Sequence, residues 1–534
     1  MQLLRTNSGI IAACLFSGVL LAIAWPAAGF APLLFIAWIP LFFAEDAVAR
    51  NPKNYGRHIL FFAAYFSFFT FNVLTTWWVK YASLFGAIAA IVCNALFMAL
   101  IFMAFHKVKR KLGVGYGYLS LILFWVAFEH VHMDWDLSWP WLTLGNGFAA
   151  WVQLIQWYEF TGVLGGTIWI FVINILIYQI LAGRLFDIAE YKKGKKKLIV
   201  LMIILVPVIY SVIRYHTYEE KSNPVNIAVI QPNVDPYNEK FSGMSSQQQL
   251  DRILELAKSV CTDSTDYVVA PETALPDGIW EEEIGRHPQT VRLMDFLNKY
   301  PNLKWVIGLA SNRFYEDSTQ RSATARKFTD SPGYYDSYNT ALFLDKNGNT
   351  QIHHKSKLVP GVEKMPFPAI FKHLDAFAID LGGMSGSLGV QEVPTVFKDE
   401  NGLGIAPVVC YESIYGDYLA KYIRQNASLI FIITNDGWWS DSPGYRQHLQ
   451  YARLRAIECR RSIARSANTG ISCFINQRGD ILQATSWWQK DAIAATINAN
   501  SEITLHTRTG DVLGIVAIIG TIGMILFMFV SKRK

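Results

Sequence analysis

Charge is scarce in this chain. Asp, Glu, Lys and Arg make up only 17% of its 534 residues, against roughly 25% in average soluble domains, which excludes an ordinary cytosolic globule. Cysteine is scarcer: six residues lie far apart with no CxxC pair, which argues against a zinc ribbon or a disulfide scaffold. Disorder is excluded as well, because aromatic residues reach 14% and β-branched residues are plentiful. What the chain has is apolar sequence, 52% of the total, unevenly placed. Apolar runs dominate up to about Tyr215, the stretch 219–511 reads as soluble, and a last apolar run follows.

A bilayer-spanning helix needs about 20 mostly apolar residues, because hydrocarbon offers backbone groups no water. Seven runs precede Tyr215, at 9–24, 31–44, 59–79, 84–105, 119–131, 163–182 and 198–213, and an eighth covers 512–530. The first ends in no cleavage-like motif and is followed by six more, so it reads as a retained anchor.

Lys and Arg are nearly missing from every second loop. One side collects Arg5, then Arg50, Lys53 and Arg57, then Lys107, Lys109, Arg110 and Lys111, then Arg184 with the 192–197 cluster, and finally Lys532, Arg533 and Lys534. The other side holds Lys80 alone, and 132–162 has neither Lys nor Arg. The positive-inside rule then predicts eight spans with both termini in the cytoplasm and the soluble part outside. The net charge of +6 is therefore a topology signal, not a nucleic-acid patch. The segment WDLSWPWLTLGNGFAAW, 135–151, is too interrupted for a simple span; an interfacial aromatic belt and a re-entrant platform holding a lipid are both open readings.

From Asn226 onward short β-rich runs alternate with helical periods, which predicts an α/β architecture with helices on both faces. Strands are expected at 226–231, 267–270, 305–308, 340–344, 405–409, 429–434 and 470–475, and helices at 247–260, 290–300, 416–425 and 445–466. The run ARLRAIECRRSIARSAN, with Arg453, Arg455, Arg460 and Arg461, reads as a surface helix. Cys261, Cys459 and Cys473 read as buried and inert, with pairing between them left open.

Three strand ends carry chemistry. In VVAPETALP, Glu272 follows a buried strand, where low dielectric suits a carboxyl to act as a base. In HHKSKLVPGVEKMPF, Lys355 and Glu363 flank a Pro/Gly turn, and His353 and His354 lack a third ligand at metal spacing. In GIAPVVCYES, Cys410 ends a strand of small and β-branched residues. Each motif alone is weak. Together, in the order Glu, Lys, Cys, they resemble the nitrilase superfamily. The chemistry accounts for the residue types: a thiol gives a thioester, a carboxylate moves its proton, and an ammonium favours thiolate and oxyanion.

With eight spans around it, the whole chain is similar to the membrane-embedded apolipoprotein N-acyltransferase family. The stretches that carry the resemblance are WPWLTLG, IQPNVDP, PETALP, KSKLVPGVE, CYES and TNDGWW. It implies a polytopic α-helical membrane domain, 1–215, an αββα nitrilase-like sandwich, 216–508, and a last span with a basic tail, 509–534. It also implies that Glu272 is the base, Lys355 the charge stabiliser and Cys410 the acylated nucleophile. Glu363, Tyr411 and Glu412 would then support the site and its oxyanion hole. The implied reaction takes a fatty acyl chain from a phospholipid such as phosphatidylethanolamine to the α-amine of a diacylglyceryl-cysteine. It needs no cofactor or metal, and the implied protein is a monomer of the bacterial inner membrane with its catalytic part in the periplasm. Trp139, Trp141, Trp438, Trp439 and Phe367 are candidates for lipid contact or a lid. Two other readings stay open: a membrane-tethered amidase that uses water as second nucleophile, and a receptor or scaffold with an inactive nitrilase-like domain.

Overall fold

A computed structural model describes residues 3–185, 195–367 and 387–531. The chain forms two compact units. One contains Met1–Lys80, Leu84–Thr217 and Thr509–Lys534; the other contains Tyr81–Ser83 and Tyr218–Arg508.

The first unit is helical. Among the described residues, seven stretches are long and apolar enough to cross a membrane: Ala31–Arg50, Ile59–Tyr81, Leu84–Leu112, Val114–Val131, Tyr158–Leu185, Lys196–Thr217 and Val512–Val530. The helix Asn7–Ile23, at 17 residues, is shorter. The run expected at 31–44 is broken into a 3-10 turn, Ala31–Phe35, and a helix, Ile39–Arg50, that begins beside Pro40. Proline lacks an N–H and is suited to the first turn of a helix.

Lys109, expected in a basic loop, instead lies buried within the helix Leu84–Leu112. Its ammonium pairs with Asp46 Oδ1 at 3.0 Å and with Glu45, while His106 Nδ1 lies 2.7 Å from Glu45 Oε1. A buried charge needs such partners, so this lysine, in the last turn of the helix, faces inward and not into a loop. Residues 186–194, with Lys192 and Lys193, and 532–534 lie outside the described residues.

The 135–151 segment forms two short 3-10 turns, Pro140–Leu142 and Leu144–Phe148, and a third, Val152–Leu154, follows it. Glu129 fastens them to the helices: Oε1 accepts from Leu144 N–H at 2.8 Å and from Trp125 Nε1 at 3.0 Å, and Oε2 accepts from Thr167 Oγ1 at 2.7 Å. Residues 140–149 are all buried inside this unit, a packed platform and not an exposed belt. Trp141 sits there between Trp78 and Trp139, at ring distances of 4.9 and 5.8 Å. The helix Lys196–Thr217 is the opposite case, with Ser211 its one buried residue. It is held by Trp169 Nε1 donating to Ile203 O at 2.7 Å, and by Glu159, which receives Tyr210 Oη at 2.8 Å and Arg214 Nε at 3.1 Å.

The second unit is a two-sheet sandwich. One sheet runs Asp491–Asn498, Pro224–Gln231, Tyr267–Val269, Lys304–Tyr315, Tyr334–Leu344 and Arg326–Lys327; Leu275–Trp280 adds to the fourth of these strands and Thr350–His354 to the fifth. The other runs Ile481–Ala484, Cys473–Ile475, Ile463–Ala467, Leu429–Thr434, Gly404–Val409 and Phe397–Lys398. Period-2 alternation sorts the side chains. Val225, Ile227 and Val229 meet Phe431, Ile433 and Val409 between the sheets. Ala228 and Ile230 face outward onto Leu250 and Ile253 of the helix Ser246–Val260 and share that core with Leu293 and Phe296 of Pro288–Leu297. Each such Val, Ile or Phe contributes about 1.5–3 kcal/mol on burial.

The arginine-rich run is not a surface helix. The helix Pro443–Cys459 is almost wholly buried, Arg460 turns the chain with φ +48°, and the strand Ile463–Ala467 follows. Arg455, Arg460 and Arg461 are at most 2% exposed. Each guanidinium has polar partners: Arg455 pairs with Glu458 at 3.0 Å, Arg461 Nε donates to Ala427 O at 2.8 Å, and Arg460 Nη1 donates to Gln477 O at 3.0 Å. Cys459 and Cys473 are buried, whereas Cys261 is partly exposed, and all six cysteines are free.

Candidate active site

Three strand ends of the second unit converge. Glu272 lies three residues beyond Tyr267–Val269, Lys355 directly after Thr350–His354, and Cys410 directly after Gly404–Val409. All three are buried. Lys355 Nζ donates to Glu272 Oε1 at 3.0 Å and to Glu363 Oε1 at 2.8 Å, so one ammonium bridges two carboxylates. Two donors not foreseen from the sequence complete the grip on Glu272: Asn339 Nδ2 at 2.7 Å to Oε1 and the Asn435 N–H at 3.0 Å to Oε2. Val359 N–H holds Glu363 Oε2 at 2.9 Å.

Cys410 takes a left-handed backbone, φ +49°, and so does Thr273 beside Glu272, φ +46°. Non-glycine residues rarely adopt this conformation, and such strain collects at functional sites. Glu412 fixes the turn after Cys410. Its carboxylate accepts from Val409 N–H at 2.8 Å and from Ser356 N–H at 2.6 Å, which staples the cysteine turn to the lysine turn. His353 Nδ1 accepts from Thr395 N–H at 3.4 Å, which leaves Nε2 to carry the proton toward Tyr422 Oη at 2.8 Å and Glu412 at 3.3 Å. His354 Nε2 meets Glu281 Oε1 at 2.6 Å. The two histidines are thus engaged in protein contacts.

The electrostatics push the three groups in different directions. Burial disfavours the Glu272 carboxylate, but the Lys355 charge, with hydrogen bonds from Lys355 and Asn339, more than offsets it and holds the carboxyl below its usual value. Burial likewise opposes the Lys355 ammonium, yet Glu272 and Glu363 keep it well above its usual range. Burial pushes the Cys410 thiol up and the Glu272 charge adds to this, against Lys355. These shifts favour an ionised Glu272 carboxylate beside a neutral Cys410 thiol. A second lysine, Lys240, donates to Glu272 O at 3.3 Å and to Thr273 Oγ1; burial lowers its pKa to about 8, opposed by Glu272 and Cys410.

Tyr411 is buried and packs edge-on to Tyr415 at 5.3 Å. Trp438 lies against Tyr237 and Phe241, at ring distances of 5.4 and 6.4 Å, and Trp439 against His448 at 5.4 Å. Phe367 has φ +47° and is the last described residue before 368–386, so the rest of the MPFPAIF stretch lies outside the described residues.

Gly308 allows the glutamate strand end its close approach. A Cβ there would lie 2.5 Å from Thr273 N and 2.6 Å from both Glu272 Cα and Pro271 O. Since these are backbone atoms, Gly308→Ala is expected to cost about 1–3 kcal/mol through overpacking and to displace the carboxylate. Thermal unfolding and a transfer assay check it; an Ala variant equal to the native protein in both would refute this role.

Residues 226–505 match the sequence model of the carbon-nitrogen hydrolase family, and 17–176 match that of the apolipoprotein N-acyltransferase N-terminal domain. An apolipoprotein N-acyltransferase of Chlorobaculum tepidum is 29% identical over 533 residues, spanning 97% of this chain and 96% of its own. One from Geobacter metallireducens is 26% identical over 510 residues, spanning 94% and 92%. The solved structure of Saccharomyces cerevisiae Nit3, of the nitrilase superfamily, covers 55% of this chain and 97% of its own at 15% identity, with a TM-score of 0.36. With the hydrolase match extending over more than half its length and the companion domain ahead of it, the chain belongs to the carbon-nitrogen hydrolase family, in the acyltransferase branch whose members are named apolipoprotein N-acyltransferases.

Proposed function

We propose that this membrane protein moves a fatty acyl chain from a phospholipid, through a thioester on Cys410, to the α-amine of an N-terminal diacylglyceryl-cysteine on lipoproteins. The observation that carries this reading is the buried Glu272–Lys355–Cys410 cluster in a chain whose relatives share its membrane unit as well as its catalytic one. Glu272 takes the thiol proton as sulfur attacks the lipid ester carbonyl. The oxyanion is met by the Lys355 ammonium and by backbone N–H groups near Tyr411, with Glu363 holding Lys355 in place. Collapse expels the lysophospholipid alkoxide, which leaves with the proton held by Glu272. In the second half the amine attacks the thioester, Glu272 takes the ammonium proton, and the thiolate departs as the amide forms.

The Lys and Arg distribution supports a catalytic part, 216–508, on the periplasmic side of a bacterial inner membrane, with 1–215 and 509–534 anchoring it and both termini cytoplasmic. Anchoring suits an acyl donor that lives in a bilayer. Drawing a 16-carbon chain wholly into water costs on the order of 12 kcal/mol at about 0.8 kcal/mol per CH₂, and an apolar groove among the helices would avoid most of it.

Incubating the purified chain with phospholipid labelled in its acyl chain is expected to give a hydroxylamine-sensitive adduct whose mass maps to the Cys410 peptide. Hydrolysis of a labelled amide with no lipid adduct would overturn the proposal in favour of an amidase.

A further inference from the structure

The TNDGWW motif contributes more than aromatic side chains. Its first three residues form a turn at the end of the strand Leu429–Thr434, which runs parallel to Gly404–Val409 with Ile433 opposite Val409, so Thr434 comes level with Cys410. Asn435 N–H binds Glu272 Oε2 at 3.0 Å. Asp436 is wholly buried and accepts at Oδ1 from Thr434 Oγ1 at 2.9 Å, with His448 Nδ1 also 2.9 Å away, while Oδ2 takes Arg465 Nη2 at 2.5 Å. His448 Nε2 then returns to the cysteine turn, 2.8 Å from Ser413 Oγ and 3.3 Å from Cys410 O. Ser413 Oγ itself donates to Cys410 O at 2.7 Å. A run of hydrogen bonds therefore leads from Thr434, level with Cys410, through Asp436 and His448 back to the cysteine turn, and the Thr434 hydroxyl is its member nearest the thiol.

We propose that Thr434 is a second, switching partner of the nucleophile: its hydroxyl donates to Asp436 while Cys410 is a thiol and turns to donate to the sulfur once Glu272 has taken the proton. The inference rests on the Cys410 nucleophile of the preceding section. Asp436 tolerates the loss of one donor, because Arg465 and His448 remain on it. No atom is gained or lost: the S–H proton goes to the Glu272 carboxylate, and the Thr434 proton stays on its oxygen as the bond changes acceptor. The charged or titratable groups that face the cysteine are Glu272, Lys355, Lys240, Asp436, His448 and Tyr411. Burial raises the thiol, so a donor that appears only for the thiolate acts where it is needed.

The test is the pH dependence of iodoacetamide alkylation of the full chain in detergent, read by mass spectrometry on the Cys410 peptide. Thr434→Val keeps the side-chain shape without the hydroxyl. It is expected to move the alkylation profile about one pH unit upward and to slow labelling roughly tenfold at neutral pH, the scale of one hydrogen bond to a charged group. Thr434→Ser is expected to restore the native profile. If the Val variant does not fold, Thr434→Ala against Thr434→Ser gives the same comparison. A Val or Ala profile superimposable on the native one overturns the switching role while leaving the nucleophile intact. A native protein that transfers acyl chains with Cys410 blocked overturns the nucleophile itself.

Discussion

With Cys410 replaced by Ala, acyl transfer to a lipoprotein N-terminus is expected to fall on the order of 10⁶-fold, the scale on which enzymes lose rate when a covalent nucleophile is removed. The size of the effect follows from the site. The substitution leaves untouched the Glu272–Lys355 pair, 3.0 Å apart in the native chain, but with no sulfur the ester carbonyl has no atom to bond to, and both half-reactions are expected to disappear together. The fold should survive, since one small buried side chain is shortened and the cost of such a truncation stays under about 2 kcal/mol. Acylation of a diacylated peptide by a purified variant with a native melting profile is the measurement. A rate within tenfold of native would mean that the acyl chain never rests on this sulfur.

Lys355→Met is expected to act on stability and rate at once. The ammonium bridges Glu272 and Glu363 from within the protein. Removing one partner of a buried pair costs about 3–5 kcal/mol, and losing the charge that balances a base and an oxyanion costs on the order of 10²–10⁴ in rate. The pH dependence has a definite sign. Glu272 is held below its ordinary 4.5, so its share of the native stability is complete above about pH 4.5 and fades as pH falls through the folded value. Lys355 is held above its ordinary 10.5, so its share is complete below that pH and fades as pH climbs through the folded value. The native protein should therefore show a broad plateau between those limits. In the Met variant burial acts on Glu272 without its main counter-charge, its carboxyl moves up, and the residual activity should rise with pH. Thermal melts in detergent across this range, beside a pH–rate profile, decide it; a variant with native melting and a flat profile would show that the lysine is a bystander.

Glu272, Lys355 and Cys410 were legible because each follows a short apolar strand at a Pro- or Gly-marked boundary, where chain direction and burial change together. The residues that finish the site were not. Asn339 and the Asn435 N–H reach Glu272 from 67 and 163 positions away, and nothing local announces them. The strand Ile463–Ala467 was hidden for a related reason. Its Arg465 is fully buried yet paired with Asp436, and a sequence containing several arginines reads as a solvated face until its partners are known. Leu275–Trp280 and Thr350–His354 carry Asp, Gly, Gln and His, so their alternation is too weak to announce a strand. The membrane unit was easier, because length and apolarity are properties of a segment by itself. Only the break at Phe35 and the inward turn of Lys109 depended on neighbours.

The helix Lys196–Thr217 shows what so little enclosure means over generations. With Ser211 its one enclosed residue, its outward positions answer chiefly to greasiness and span, so exchanges among Leu, Ile, Val, Met and Phe are expected to be well tolerated there. Closer constraint is expected at Ser211 and where Ile203, Tyr210 and Arg214 reach Trp169 and Glu159. This stretch should accordingly change faster than the enclosed helix Tyr158–Leu185 while keeping a constant length.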